Sequence, residues 1–103
     1  MSNKWGARRA YSTLCRCTFA SEGEKTRGEE LRFLELAGEI TDLKYHQKFR
    51  LSKKPSITIE VDFVYKENGE TIYEDFKGKE CRDYRVKRIW LKEQQGIEIK
   101  LVK

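Results

Sequence analysis

The chain has 103 residues, 38% hydrophobic and 38% charged, with a formal net charge of +5. That length suits one domain with one core, and no apolar run approaches the roughly 18–20 residues of a membrane span. The basic balance favours a polyanionic partner, and three cysteines, Cys15, Cys17 and Cys81, argue for a reducing, cytosolic setting rather than a disulfide framework.

Residues 1–10 read as a basic N-terminal arm, in which Lys4, Arg8 and Arg9 are candidate phosphate contacts and a solvated tail is the competing account. Residues 11–19 read as a short strand or extended segment. A zinc site from Cys15, Cys17, Cys81 and His46 lacks the usual C-x2–4-C spacing, so the thiols read as small buried or half-buried groups. Ser21 opens a helix to about Ala37. Ser21 and Glu24 have capping-box spacing, and Gly38 suits the left-handed position after the last turn. Leu31, Phe33, Leu34 and Leu36 are its expected buried stripe. Gly28 costs the helix about 1 kcal/mol relative to Ala, which points to close approach by a strand or by nucleic acid. Glu24 either caps the first turn or faces a metal, and spacing does not separate the two.

Leu43 to Leu51 is a second strand with Tyr45 and Phe49 as apolar anchors; His46, the only histidine, is not singled out for catalysis. After a turn or loop at Ser52–Pro55 comes a hairpin, residues 57–78. Asn68-Gly69 is a strong type I′ turn signal, since both residues accept positive φ. With that loop Glu67 faces Glu70, and by counting back Asp62 faces Asp75 and Glu60 faces Lys77. Val61, Phe63, Tyr65, Ile72 and Phe76 then form an apolar side on which Glu74 is the one misfit. Asp62, Asp75 and Lys77 converge on the other side. Carboxylates with Cβ atoms about 4.5–5.5 Å apart repel unless something positive lies between them, and a divalent cation is the natural candidate.

A second helix spans about Arg82 to Gln94, with Val86, Ile89 and Trp90 on its apolar side and Arg82, Arg85, Lys87, Arg88 and Lys92 around the rest. Gly96 stops it, and Ile97, Ile99 and Leu101 alternate in a last strand. The expected architecture is α/β with a mixed sheet, an extended segment followed by αβββαβ, in one domain over residues 11–103.

Two acids on adjacent strands can hold one hard cation through oxygen, which suits Mg²⁺ or Mn²⁺ rather than zinc. An ammonium beside them can orient water and stabilise charge at phosphorus. Asp62-Phe63, thirteen residues before Asp75-Phe76-Lys77-Gly78, resembles the PD-(D/E)XK nuclease motif, with Val61 where the named pattern has Pro. The αβββαβ order resembles that superfamily's restriction-endonuclease-like core. Phe19 to Glu24 resembles the first-helix segment of phage endonuclease I-type Holliday junction resolvases. Asn3 to Gly6, Ala37 to Ile40, Glu74 to Gly78 and Tyr84 to Arg88 resemble a compact phage-borne family grouped with these nucleases.

The resemblance implies a Mg²⁺- or Mn²⁺-dependent DNA endonuclease. Glu24, Asp62 and Asp75 would be the metal-binding acids and Lys77 the motif lysine. Lys79, Tyr84, Lys87 and Arg88 would join Lys4, Arg8 and Arg9 against DNA. It further implies a homodimer acting on branched or double-stranded DNA in a bacterial host's cytoplasm, away from membranes. A nickase or end-processing enzyme, a DNA-binding module without catalysis, and a structural protein with an incidental acidic cluster are the alternatives. On the residues alone Trp90 reads as core, and Tyr84, Lys87 and Arg88 read equally well as a solvated basic helix packed through Tyr84.

Overall fold

The computed structural model describes residues 9–76 and 81–103. Within them the elements run β1 (Ala10–Ser12), β2 (Cys17–Phe19), α1 (Glu22–Leu36), β3 (Thr41–Ser52), β4 (Ile57–Glu67), β5 (Glu70–Phe76), α2 (Arg82–Gln95) and β6 (Ile99–Val102). The fold is mixed α/β. Four strands form one mixed sheet in the order β3-β4-β5-β6, with β5 and β6 parallel and the other neighbours antiparallel. The N-terminal extended segment resolves into a separate small hairpin, β1 on β2, which takes in Ala10 at the end of the expected arm.

Local chemistry accounts for the element ends. Ser21 Oγ accepts the Glu24 backbone N–H at 3.2 Å, and Gly38 takes φ 81° after the C-cap of α1. Gly96 takes φ 70° at the end of α2. Asn68 and Gly69 take φ 52° and 80°, and the hairpin closes in the expected register, Glu67 on Glu70 and Phe63 on Glu74.

Both faces of the sheet are covered. One cluster gathers Leu51, Ile59, Val61, Tyr84, Leu91 and Ile99. The other gathers Phe19, Leu31, Ile40, Phe63 and Tyr65. This corrects the picture of one apolar and one polar side: Asp62 and Asp75 are themselves buried. The helix stripes also differ from expectation. Only Leu31 of the four expected on α1 is buried, while Phe33 and Leu36 are exposed at 61% and 60%. The buried positions are Glu24, Gly28 and Leu31, a stripe of i, i+4, i+7. On α2 the buried residues are Tyr84 and Leu91; Val86, Ile89 and Trp90 face solvent, Trp90 the least of the three.

Gly28 is the contact that lets α1 sit down. A Cβ there would lie 2.7 Å from Phe19 Cζ and 3.2 Å from Phe63 Cε1. Both rings are fully buried and cannot retreat. Gly28→Ala is therefore expected to cost about 1–3 kcal/mol by overpacking, despite the better helix propensity of alanine. Urea denaturation measures it; a stabilised variant would mean the rings move freely.

Candidate active site

The site forms where β3 and β4 change phase together. Residues two apart in a strand share a face, yet Val61 packs in the first cluster and Phe63 in the second. On β3, Tyr45 packs in the second cluster and Phe49 in the first. Between them lie Asp62 and His46, which leave a gap in the ladder between Tyr45 on Phe63 and Gln47 on Val61. His46 takes φ 53°, a left-handed conformation costly for a non-glycine residue inside a strand. Such irregularities re-aim side chains. Here they accompany a pocket of about 290 Å³ lined by Arg9, Glu24, His46, Glu60, Asp62 and Phe76, with Thr18 and Ala20.

Glu24 is buried at the start of α1, and its side chain does not complete the capping box. Its Oε2 lies 3.0 Å from His46 Nε2. Asp62 and Asp75 lie side by side, and each carboxylate meets a backbone N–H. Asp75 Oδ1 accepts the Asp62 N–H at 2.7 Å, and Asp62 Oδ2 accepts the Phe76 N–H at 2.9 Å. Each carboxylate thus borrows a backbone donor from the other strand. Asp75 Oδ2 accepts a hydrogen bond from the Tyr84 hydroxyl. Burial, then that bond, raises the Tyr84 pKa well above the usual phenol range.

The structure therefore brings Glu24 and Asp62 into one pocket. It sets Asp75 against the Asp62 backbone and Tyr84, outside that pocket's lining. Glu24 and Asp62 offer the oxygen donors that Mg²⁺ or Mn²⁺ takes. Among the described residues no three His, Cys, Asp or Glu side chains already stand as a metal-holding group. Lys77, Lys79, Lys4 and Arg8 lie outside the described residues. Arg9 lines the acid pocket. Tyr84, expected against DNA, is buried, and its hydroxyl donates to Asp75. Lys87 is half-buried and 3.3 Å from Asp83, and Arg88 lies 6.0 Å over the Tyr84 ring. The exposed cations of α2 are Arg82, Arg85 and Lys92.

Two side chains have partners that spacing in the sequence does not name. His46 belongs to the pocket, and a lone polar ring between apolar anchors was the available signal. Glu74, the misfit, is fully buried and accepts two bonds from Arg27, at 2.7 and 2.9 Å, and one from the Tyr65 hydroxyl at 2.8 Å. The zinc alternative has no support in placement: Cys81 is exposed, while Cys15 and Cys17 are half-buried beside the second cluster. Burial, then Cys15 and Glu24 nearby, raises the Cys17 thiol pKa.

Comparison of the chain with protein-family models, with curated proteins and with solved structures gives no match in any of the three. Fold and site define a class by themselves: a mixed α/β domain in which a helix acid and a strand acid share one pocket at a sheet irregularity. No helix among the described residues is long and apolar enough to cross a membrane.

Proposed function

We propose that the chain is a Mg²⁺- or Mn²⁺-dependent DNA endonuclease with a PD-(D/E)XK, restriction-endonuclease-like core, selective for branched DNA as a Holliday junction resolvase is. The observation that carries this is the shared pocket of Glu24 and Asp62, with Asp75 bonded to the Asp62 backbone. A binding module gains nothing from acids facing a polyanion, whereas a phosphodiester hydrolase needs them to hold a cation.

Glu24 and Asp62 would hold the ion, with Asp75 contributing through its remaining lone pairs. When bound, a divalent ion polarises the phosphoryl oxygen and lowers the pKa of a coordinated water. Asp75 and Tyr84 fix the Asp62 backbone, and Arg9 meets a phosphate at the pocket mouth. Lys77, by its place in the motif, orients the attacking water and balances charge at phosphorus. Arg82, Arg85 and Lys92 bind the backbone without reading sequence. A homodimer would cut two strands of a junction symmetrically, and the exposed Phe33 and Leu36 of α1 or Val86 and Ile89 of α2 offer apolar surface for it.

The test is incubation of supercoiled plasmid, linear duplex and a four-way junction with Mg²⁺ or Mn²⁺, beside EDTA and beside Asp62→Asn. Preferred cutting of the junction, leaving 5′-phosphate and 3′-hydroxyl ends and lost in both controls, is the expected result. Equal breakdown of all three substrates would point to a nickase or general nuclease. Retention of DNA without metal-dependent products would sink the enzyme and leave a binding module.

A further inference from the structure

We propose that the exposed stripe of α2 docks on the same stripe of a second copy of this chain, antiparallel, about a two-fold axis centred between Lys87 and Arg88. This names the surface of the homodimer in the proposed function. Its test uses no DNA, so the two readings fail separately.

Arg82, Val86, Ile89 and Glu93 follow one another at spacings of four, three and four, which sets them in one line along a helix. That line runs opposite the buried Tyr84 and Leu91, and Val86 and Ile89 keep more than half of their surface in water. The order is a cation, two aliphatic residues and an acid. Turned end for end against itself, it puts Arg82 opposite Glu93 at both ends and Val86 opposite Ile89 twice in the middle. Apolar contacts are thus flanked by opposite charges, as a self-complementary surface requires. The exposed line of α1 does not match itself: Thr26, Glu30, Phe33 and Ala37 have the same spacing, and the reversal sets Glu30 against Phe33. Beside the α2 stripe lies a hollow of about 380 Å³ lined by Ile57, Asp83, Val86 and Trp90. It is on the flank that Trp90 of the second copy reaches in this register, and buried tryptophans are enriched among the residues that dominate interfaces. The other flank brings Arg85 and Lys92 of the two copies together. Lys92 is 3.6 Å from Glu98 of its own chain, and between exposed, salt-screened cations the remaining repulsion is small. Arg82 has five N–H donors, enough for Glu93 and a phosphate beside it. A single helix pair buries less than the roughly 1,200 Å² of a standard interface, so the dimer is weak, with a Kd on the order of 10 µM.

The test is analytical ultracentrifugation of the full chain from about 1 to 300 µM, a range that brackets that Kd. A reversible monomer–dimer equilibrium is expected. Ile89→Asp should abolish it over the whole range, a loss of about a hundredfold or more. Ile89 is exposed, and circular dichroism checks that the variant folds. Glu93→Arg should weaken the dimer about tenfold by setting two arginines face to face at each end, and Arg82→Glu combined with Glu93→Arg should restore it. Phe33→Asp on α1 should leave it unchanged. A monomer at every concentration would overturn the proposal. So would a dimer that survives Ile89→Asp, or one that Glu93→Arg weakens and the double reversal fails to restore. A monomer that still cuts DNA in the plasmid and junction assay would overturn the dimer and leave the nuclease standing.

Discussion

Arg27→Ala is expected to remove about 3–5 kcal/mol of stability, the cost of stranding one partner of a buried ion pair. Glu74 has no exposed side-chain surface, and Arg27 is one-quarter exposed. The guanidinium donates through Nε and one terminal nitrogen to the two carboxylate oxygens, a paired geometry that lysine cannot supply. That bond, ahead of the opposing effect of burial, pushes the Arg27 pKa up. Without Arg27, the Tyr65 hydroxyl is the donor left to Glu74 among the described residues. A domain of this size holds roughly 5–15 kcal/mol in total, so the variant would sit near the edge of folding. The corresponding fall in Tm is roughly 15–30 °C. Arg27 also lies 3.8 Å from Glu30, but that partner is more than half exposed, and Glu30→Ala should change stability by no more than about 0.5 kcal/mol. The double variant Arg27→Met, Glu74→Leu should recover much of the loss, because apolar residues of similar volume need no desolvation. Urea unfolding of all four proteins decides it. A loss below about 1 kcal/mol in Arg27→Ala would mean that water reaches Glu74 and replaces the lost donors.

The same pair explains why one part of the fold was legible and another was not. Hairpin register, helix caps and helix stops follow from residues a few positions apart: Asn68-Gly69, Ser21 with Glu24, Gly38, Gly96. Those signals are local, and the structure follows them. The buried faces of the helices are set by what the sheet offers. On α1 two of the three inward residues are Glu24 and Gly28, so a stripe sought among large apolar residues drifts to Phe33, Leu34 and Leu36. On α2 the core contact falls on Tyr84 and Leu91, seven apart, with Arg88 half-buried between them. Glu74 on an apolar strand face announces a missing partner, but Arg27 is 47 residues away and nothing local names it. The phase change at His46 and Asp62 carries no glycine to mark it. Strict alternation therefore assigned Val61 to the face of Phe63 and sent the acids to an open side. The sheet twists them instead into a buried corner where backbone N–H groups meet them.

On the proposed nuclease activity, Asp75→Asn is expected to lower cleavage by at least about a thousandfold, the scale of losing a preorganised charged group at a reacting centre. It should also weaken the fold by about 1–3 kcal/mol. One oxygen of Asp75 accepts from the Asp62 backbone and the other from Tyr84. An amide can accept on one side only: with its oxygen kept on the Asp62 N–H, its NH₂ faces the Tyr84 hydroxyl, which must turn its proton away and accept, and the charge that strengthened both bonds is lost. Tyr84→Phe separates structure from chemistry. It keeps the ring in the core and removes only the hydroxyl, at a cost of about 1 kcal/mol. Because Tyr84→Phe leaves the Asp75 carboxylate and its charge in place, cleavage in that variant should fall far less than in Asp75→Asn, for the same order of lost stability. Single-turnover rates on a four-way junction, read beside urea midpoints, give both quantities for each variant. If the two variants lose rate in proportion to stability alone, Asp75 acts by holding the hairpin ends together. If Asp75→Asn stands apart by two or more decades, its charge acts on the phosphate chemistry itself.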